Sequence, residues 1–428
     1  MNVVDSQRVA VALERLGYES VSQPEDADVI VMNTCVVRQS AEDKAYGRLS
    51  SLRPIKQRRP DVVINLMGCL VGVKGYEALK TRFPYVDVFS PPSDPGPLLA
   101  YLTQTEDQAL DQAEIEKRYA LMDDESSLPR SEASQLVSAY IPVVLGCSHA
   151  CTYCIIPYRR GVERSRPQEH ILAEARSLVR QGVREITLLG QIVDRYGKDR
   201  PEGSNLAGLI RQLHEIDDLR RIRFLTSHPN WMTDELMDVV AEYPKVCPHI
   251  EIPIQAGDDA VLEAMKRGYT VDDYRRLVTK IRRRIPGVSI ATDIIVGFPG
   301  ESAEAFQHTY DLLVELHLDV AHLARYSPRP GTVAARRMLD DVPAEEKMRR
   351  FRLLEELQEN IAAEIHARLL GQKIKVLFEE PVKGRWKGRT PTNKLVFVST
   401  PDNLRGQELP VEITWTGPWS MQGKLVND

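Results

Sequence analysis

The sequence predicts an α/β protein in three parts: an amino-terminal α/β domain, a central partial (β/α)6 barrel and a small carboxy-terminal β-barrel. Three observations carry that expectation. Apolar runs alternate with amphipathic stretches through most of the chain, as in parallel strands joined by helices. Between Ala139 and Ser327 six such units follow one another, which favours a sheet rolled into a partial barrel over an open doubly wound sheet. After Gln372 helical periodicity stops and only short strand patterns remain.

A chain of 428 residues exceeds one ordinary domain. The expected divisions are 1–103, an acidic linker over 104–132, then 133–365 and 366–428. At 43% hydrophobic and 27% charged, the chain has ample material for buried cores. No run approaches about 18 uninterrupted apolar residues, so no membrane span is expected. The opening MNVVDSQRVAVALERLGYES has no basic region followed by an apolar stretch, so it does not read as a secretory signal. The expectation is a cytoplasmic monomer with no membrane partner. Six cysteines in a chain this size do not make a disulfide framework, and the clustering of three points to metal in a reducing compartment. The net charge of −5 argues against indiscriminate nucleic-acid binding by the whole chain, while allowing a local basic patch.

In the amino-terminal part, residues 5–16 have helical apolar spacing. The run 27–33 leads into Asn33-Thr34-Cys35, and 62–69 repeats the pattern, closing in Gly68-Cys69. Ligand sites in open parallel sheets collect at the carboxyl ends of strands, so Cys35 and Cys69 point at one place. Either cysteine alone reads as a small buried hydrophobe; the pair favours a cluster. From Glu106 to Glu125 eight acids face two bases, the composition of a surface linker.

Cys147, Cys151 and Cys154 then follow the apolar run 141–145 at C-x3-C-x2-C spacing. Thiolates so spaced close around one face of a cubane iron–sulfur cluster and leave one iron without a protein ligand. An open metal position of this kind can hold a substrate or cofactor. A zinc loop completed by His149 and three structural thiols are the alternatives. Further strands are expected at 185–189, 222–226, 249–254, 289–296 and 320–326, with amphipathic stretches 169–180, 206–216 and 303–316 among them. Polar tips follow these strands: Gly190-Gln191, Ser227-His228-Pro229, Gln255-Ala256-Gly257, Gly297 to Glu301 and Ser327 to Gly331. Each alone is turn chemistry; five in succession read as an active-site face. Cys247, alone before Pro248, reads as a structural thiol. Residues 340–370 form a charged helical stretch, followed by short strands at 373–378, 395–398, 410–414 and 424–426. Lys383, Arg385, Lys387 and Arg389 surround Trp386 with no acid between them. Such bases neutralise phosphates and an exposed Trp stacks on nucleobases; a solvated charged hairpin is the alternative.

The cysteine spacing, with Tyr153 before the last cysteine, resembles the signature of the radical S-adenosylmethionine (radical SAM) superfamily. Gly146 to Arg166, GCSHACTYCIIPYRRGVERSR, resembles the cluster loop of its methylthiotransferases. The resemblance implies a 4Fe–4S cluster on Cys147, Cys151 and Cys154 whose open iron chelates S-adenosylmethionine and whose electron cleaves it to a 5′-deoxyadenosyl radical. The strand-tip segments resemble the family's LLGQ, TSHP, P-x-Q-(S/A)-G, TDIIVGFPGE and SPRPGT segments, giving Gln191, Ser227, Gln255 and Asp293 as contacts for S-adenosylmethionine. Asn33-Thr34-Cys35 and Gly68-Cys69 match the family's amino-terminal domain, where three cysteines hold a second, auxiliary 4Fe–4S cluster. The third lies in a Gly-Cys-Gln-Met-Asn segment. Met1-Asn2 stands where that segment ends, so the pattern expects either an upstream start or a truncated protein with a poor auxiliary site. Gly388 to Asn393 resembles the (S)GRT-x-(T/N)-N motif of the TRAM domain, an RNA-binding barrel, which gives Lys383, Arg385, Trp386, Lys387 and Arg389 as RNA contacts.

Within the family the match is nearest the branch that methylthiolates C2 of N(6)-dimethylallyladenosine beside the tRNA anticodon. The implied partners are the tRNA anticodon loop and an electron donor such as flavodoxin or ferredoxin. A radical suits this reaction because the aromatic C–H is neither acidic nor activated. The alternatives are methylthiolation of threonylcarbamoyl-adenosine in tRNA or of a ribosomal-protein aspartate, and a non-catalytic iron–sulfur protein that binds RNA or carries electrons.

Overall fold

The computed structural model describes residues 1–37, 39–73, 75–103, 128–200 and 203–426. The acidic core of the expected linker falls on 104–127 and lies outside the described residues.

The first sheet is parallel, in the order β1 (Val29–Thr34), β2 (Val63–Gly68), β3 (Val88–Ser90). Period-two alternation divides its core. Ile64 and Leu66 pack with Leu49, Leu52 and Ile55 of the helix Gln39–Arg58. Met67 and Val63 pack with Val9 and Leu13 of the helix Asn2–Arg15. Strand β3 was not foreseen; three residues are too few to show a period.

Six parallel strands form the central arch: β4 (Ser138–Pro142), then, past a short hairpin of β5 (Val144–Leu145) and β6 (Arg164–Ser165), β7 (Glu185–Leu189), β8 (Arg221–Leu225), β9 (His249–Glu251), β10 (Ser289–Val296) and β11 (Val320–Arg325). They pair as β4-β7-β8 and β9-β10-β11. An Ile222–Val246 bridge and the Ser227 N–H bonded to Glu251 O at 3.0 Å join the halves. The apolar run 141–145 is therefore divided between two strands. The chain leaves the sheet after Pro142, and Val144–Leu145 pair with Arg164–Ser165 to close the base of the cysteine loop. Ile186, Leu188, Ile222, Phe224, Ile250, Ile290 and Ile294 bury one face of the arch under its helices. Alternation turns Glu185, Arg223, Glu251 and Asp293 to the other face.

Arg8 of the first helix and Arg166 both reach Glu174, fastening the amino-terminal domain to the arch. The helix Ala344–Ala367 runs from the rim, where Lys347 Nζ donates to Tyr326 O, to the last domain, where His366 Nδ1 lies 2.6 Å from Gly417 O. That domain is a closed barrel, ordered β12-β13-β14-β16-β15, of β12 (Lys373–Val382), β13 (Arg385–Arg389), β14 (Leu395–Val398), β15 (Glu408–Thr416) and β16 (Met421–Leu425). The basic segment 383–389 is the turn and second strand of the β12–β13 hairpin in the barrel wall.

Candidate active site

Gly146 begins the cysteine loop with φ +69°, and a Cβ there would lie 2.1 Å from Val162 O, so only glycine fits. The Cys147 N–H bonds to Gly161 O at 3.1 Å. Thr152 anchors the loop's far side: its N–H donates to Met265 O (3.1 Å) and its hydroxyl to Ala264 O (2.8 Å). Cys147 is buried, and Cys151 and Cys154 are half-buried; all three are free thiols. The His149 N–H donates to Cys147 Sγ (3.4 Å), His149 Nδ1 lies 3.3 Å from Cys151 Sγ, and Arg267 Nη1 donates to Cys151 Sγ at 3.2 Å.

Burial pushes the Cys154 thiol up to about 12 and raises Cys147, and the thiols raise one another further. Burial also raises Cys151, but His149 and Arg267 more than reverse it and hold it at about 7. Cys147 and Cys154 thus resist ionising unless a cation joins them, whereas Cys151 already has the Arg267 guanidinium beside it; both settings suit thiolates that ligate a metal cluster. In a cubane each thiolate meets its own iron, so the sulfurs need not converge on one point. Among the described residues no three His, Cys, Asp or Glu gather tightly enough for a single metal ion.

Beside this loop lie unpartnered polar atoms. Ser227 Oγ, His228 Nε2 and Trp231 Nε1 are buried and have no hydrogen-bond partner among the described residues. Trp231 and Cys154 both pack against the cluster of Cys147, Ile156 and Ile192, and the His149 and His228 rings stand 4.7 Å apart. Burial, with Arg267 and His149 nearby, pushes His228 down to about 2, so its imidazole is neutral. Buried polar groups are nearly always satisfied; three orphans beside three thiols fit a polar ligand held against a cluster.

Of the residues expected to contact S-adenosylmethionine, Ser227 sits among these orphans. Gln191 is half-buried after β7. Gln255 is buried, with φ +81°, a strained conformation for a non-glycine residue. Asp293 is not at a strand tip: it lies inside β10, in register with His322. Its charge, after burial, helps raise Glu251 to about 7. The sequence placed His228 only within the polar tip of the TSHP segment, without a role, and gave no signal for Trp231, Glu251 or Arg267.

In the amino-terminal sheet, the Cys69 N–H donates to Thr34 O (3.0 Å), which sets Cys35 and Cys69 at adjoining strand ends. Gly68 has φ +98°, and a Cβ there would meet Asn33 Oδ1 at 2.5 Å. Burial raises the Cys69 thiol, opposed by Arg160 and reinforced by Cys35. Arg160, just past the three-cysteine loop, bonds Asn2 Oδ1 at 2.6 Å and so ties the two cysteine sites together. A cubane with one open iron takes three thiolates; the described residues bring two here, and Cys247 is buried elsewhere, beside Arg223 and Glu185.

The carboxy-terminal surface corrects the sequence reading. Trp386 is 9% exposed and belongs to the barrel core with Val376, Phe378, Val396 and Val411, so it has no free face for a base. Alternation along β13 turns Trp386 and Gly388 inward and the bases outward. Those bases are not unopposed. Lys387 pairs with Glu379 (3.2 Å) and Glu380 (2.7 Å), and Arg389 with Glu379 (3.5 Å), acids supplied by the neighbouring strand β12. Arg385 lies over Phe397, while Lys383, exposed at the turn, has no partner among the described residues. The GRTPTN segment faces the arch: Arg223 donates to Pro391 O and Thr390 O (2.7 and 2.8 Å), and Arg221 to Arg389 O (2.6 Å). The exposed tryptophans are Trp415 and Trp419, at 48% and 61%.

Comparison with known proteins accords with this geometry. Residues 141–313 match the model of the radical SAM superfamily, and 1–90 that of the uncharacterized protein family UPF0004. A tRNA-2-methylthio-N(6)-dimethylallyladenosine synthase of Roseiflexus sp. (strain RS-1) is 48% identical, across 99% of this chain and 87% of the relative. The chain belongs to that synthase family. Synthases of the same name from Chloroflexus aurantiacus and Herpetosiphon aurantiacus are 46% and 45% identical over 99% and 100% of the chain, covering 89% and 95% of their own lengths. Among solved structures, a radical S-adenosylmethionine methyltransferase from Kitasatospora setae, with cobalamin and a 4Fe–4S cluster bound, matches with TM-score 0.53 at 15% identity, over 88% of this chain and 72% of that one. At that identity the likeness concerns the fold alone.

As a member of the synthase family the chain is a radical SAM enzyme, with an iron–sulfur cluster and S-adenosylmethionine as cofactors. Among the described residues no helix is long and apolar enough to cross a membrane.

Proposed function

We propose that this chain replaces C2–H of N(6)-dimethylallyladenosine, beside the anticodon of tRNA, with a methylthio group. The observation that carries the reading is full-length similarity to synthases of that name, on a chain whose three-cysteine loop faces unpartnered polar atoms at the tip of a barrel. Cys147, Cys151 and Cys154 would hold a 4Fe–4S cluster, which when bound supplies the electron that cleaves S-adenosylmethionine. Ser227, His228 and Trp231, with Gln191 and Gln255 on neighbouring tips, hold the cofactor's polar groups. The apolar wall of Ile156 and Ile192 keeps water away. Asp293 and Glu251 lie deeper on the same face. The adenine leaves the anticodon-loop stack to enter, which single-stranded loops permit at small cost.

The second cluster that the family resemblance implies would take Cys35 and Cys69 as two ligands; two thiolates fall short of three, and no step is assigned to it. A flavodoxin or ferredoxin supplies electrons, and the enzyme works as a cytoplasmic monomer.

For RNA contact, Lys383 and Arg385 meet the backbone, and the exposed Trp415 and Trp419 offer the stacking faces that buried Trp386 cannot. Lys383→Ala with Arg385→Ala is expected to weaken tRNA binding and lower its salt slope by about one to two units. Filter binding across a salt series checks this; equal affinity and slope for variant and parent would remove the assignment. The reaction itself is tested with reconstituted enzyme, S-adenosylmethionine, reductant and tRNA with or without the dimethylallyl group. The methylthiolated nucleoside is expected only from the modified tRNA, and product from unmodified tRNA would contradict the reading.

A further inference from the structure

Among the described residues seven arginines are buried: Arg8, Arg166, Arg221, Arg223, Arg267, Arg329 and Arg350. Six of them pair with a carboxylate: Arg8 and Arg166 with Glu174, Arg221 with Glu408, Arg223 with Glu185, Arg329 with Glu42 and Arg350 with Glu301. The exception is Arg267, 5% exposed, which meets no carboxylate among the described residues. A buried cation without a counter-charge is costly, so its anion must come from elsewhere.

The geometry names the source. Lys266, at φ +57°, and Gly268, at φ +72°, reverse the chain on either side of Arg267. Each guanidinium nitrogen is then committed: Nε to Tyr269 Oη (2.8 Å), Nη2 to Pro253 O (3.1 Å) and Nη1 to Cys151 Sγ (3.2 Å). Tyr269 is itself fixed, its hydroxyl 2.8 Å from Ile254 O and 3.1 Å from Pro253 O. The fork therefore has little freedom to turn away. Burial pushes its two phenolic neighbours, Tyr153 and Tyr269, up, which leaves the thiol of a ligand cysteine, Cys151, as the neighbour that supplies an anion.

We propose that Arg267 is the fixed counter-charge of the cluster held by Cys147, Cys151 and Cys154, stabilising its reduced form and raising its potential. The proposal rests on the reading that these cysteines hold a 4Fe–4S cluster. A cubane with three thiolates is anionic, and becomes more so by one charge when it takes an electron from a low-potential flavin or iron–sulfur protein. Arg267 keeps its proton throughout, and no protein bond forms or breaks. A cation fixed against one thiolate in a poorly screened interior favours the more negative state, by charge and by hydrogen bonding to sulfur. Arg267 is thus a positioning residue: it acts through Cys151.

Anaerobic spectroelectrochemical titration of the full-length enzyme without S-adenosylmethionine tests this, with iron counted for parent, Arg267→Gln and Arg267→Lys. In Arg267→Gln the reduced-to-oxidised ratio at fixed applied potential should fall at least about tenfold, which is about 59 mV for one electron. Arg267→Lys, keeping the charge, should recover most of it. An Arg267→Gln ratio within about twofold of the parent overturns the proposal, as does an equal fall in Arg267→Lys, which would transfer the effect to hydrogen-bond geometry. Loss of the cluster from both variants overturns it too, by making Arg267 a structural member of the loop. A parent that holds no cluster overturns the underlying reading, whereas a cluster-bearing parent with an unshifted Arg267→Gln overturns this proposal alone.

Discussion

Enzyme carrying Cys147→Ala, Cys151→Ala and Cys154→Ala is expected to form no 5′-deoxyadenosine above background and to lose about four irons on reconstitution, the content of one cubane. The protein should stay folded. Cys147 and Cys154 belong to a small apolar cluster at the barrel tip, apart from the large core under the arch. The loop's backbone is pinned independently through Thr152 and Cys147 N–H. Iron analysis with product chromatography checks both halves. Cofactor cleavage by the triple variant would remove the cluster assignment, whereas a misfolded variant would mean that the thiols also hold the loop together.

Trp386→Ala is expected to destabilise the carboxy-terminal barrel by about 3–5 kcal/mol, the usual cost of truncating a buried aromatic. Set against a total of roughly 5–15 kcal/mol for a domain, that is enough to unfold much of it. The side chain sits inside a closed barrel against Phe378, Val396, Val398 and Ile413, with little room for the surroundings to collapse. Calorimetry should show the barrel's transition fall steeply. Trp419→Ala, at 61% exposure, should move it by no more than about 0.5 kcal/mol while weakening tRNA binding. If Trp386→Ala leaves stability intact and only tRNA binding drops, the buried placement is wrong and the ring does stack on RNA.

The Trp386 error locates the boundary of what this sequence discloses. Strands with apolar runs were legible: β7 spans the expected 185–189, β10 the expected 289–296 and β14 the expected 395–398. Strand β13 was not, because Arg385, Lys387 and Arg389 dominate its composition while the buried partners alternate as one Trp and one Gly. The acids that offset those bases lie on β12, and only cross-strand register brings Glu380 opposite Lys387. The three-cysteine loop was legible because its spacing is local. Arg267 was not, since its meaning depends on Cys151, more than a hundred positions earlier. The GRTPTN segment likewise shows its docking role only beside Arg221 and Arg223.

The most direct test of the account is the tRNA nucleoside profile of cells that lack their own methylthiolating enzyme and express this chain, measured by mass spectrometry. The account predicts that N(6)-dimethylallyladenosine, accumulated in the parent cells, is converted to its 2-methylthio derivative by the chain and not by its Cys151→Ala variant. Unchanged N(6)-dimethylallyladenosine, with a methylthio group appearing instead on threonylcarbamoyl-adenosine, would contradict it.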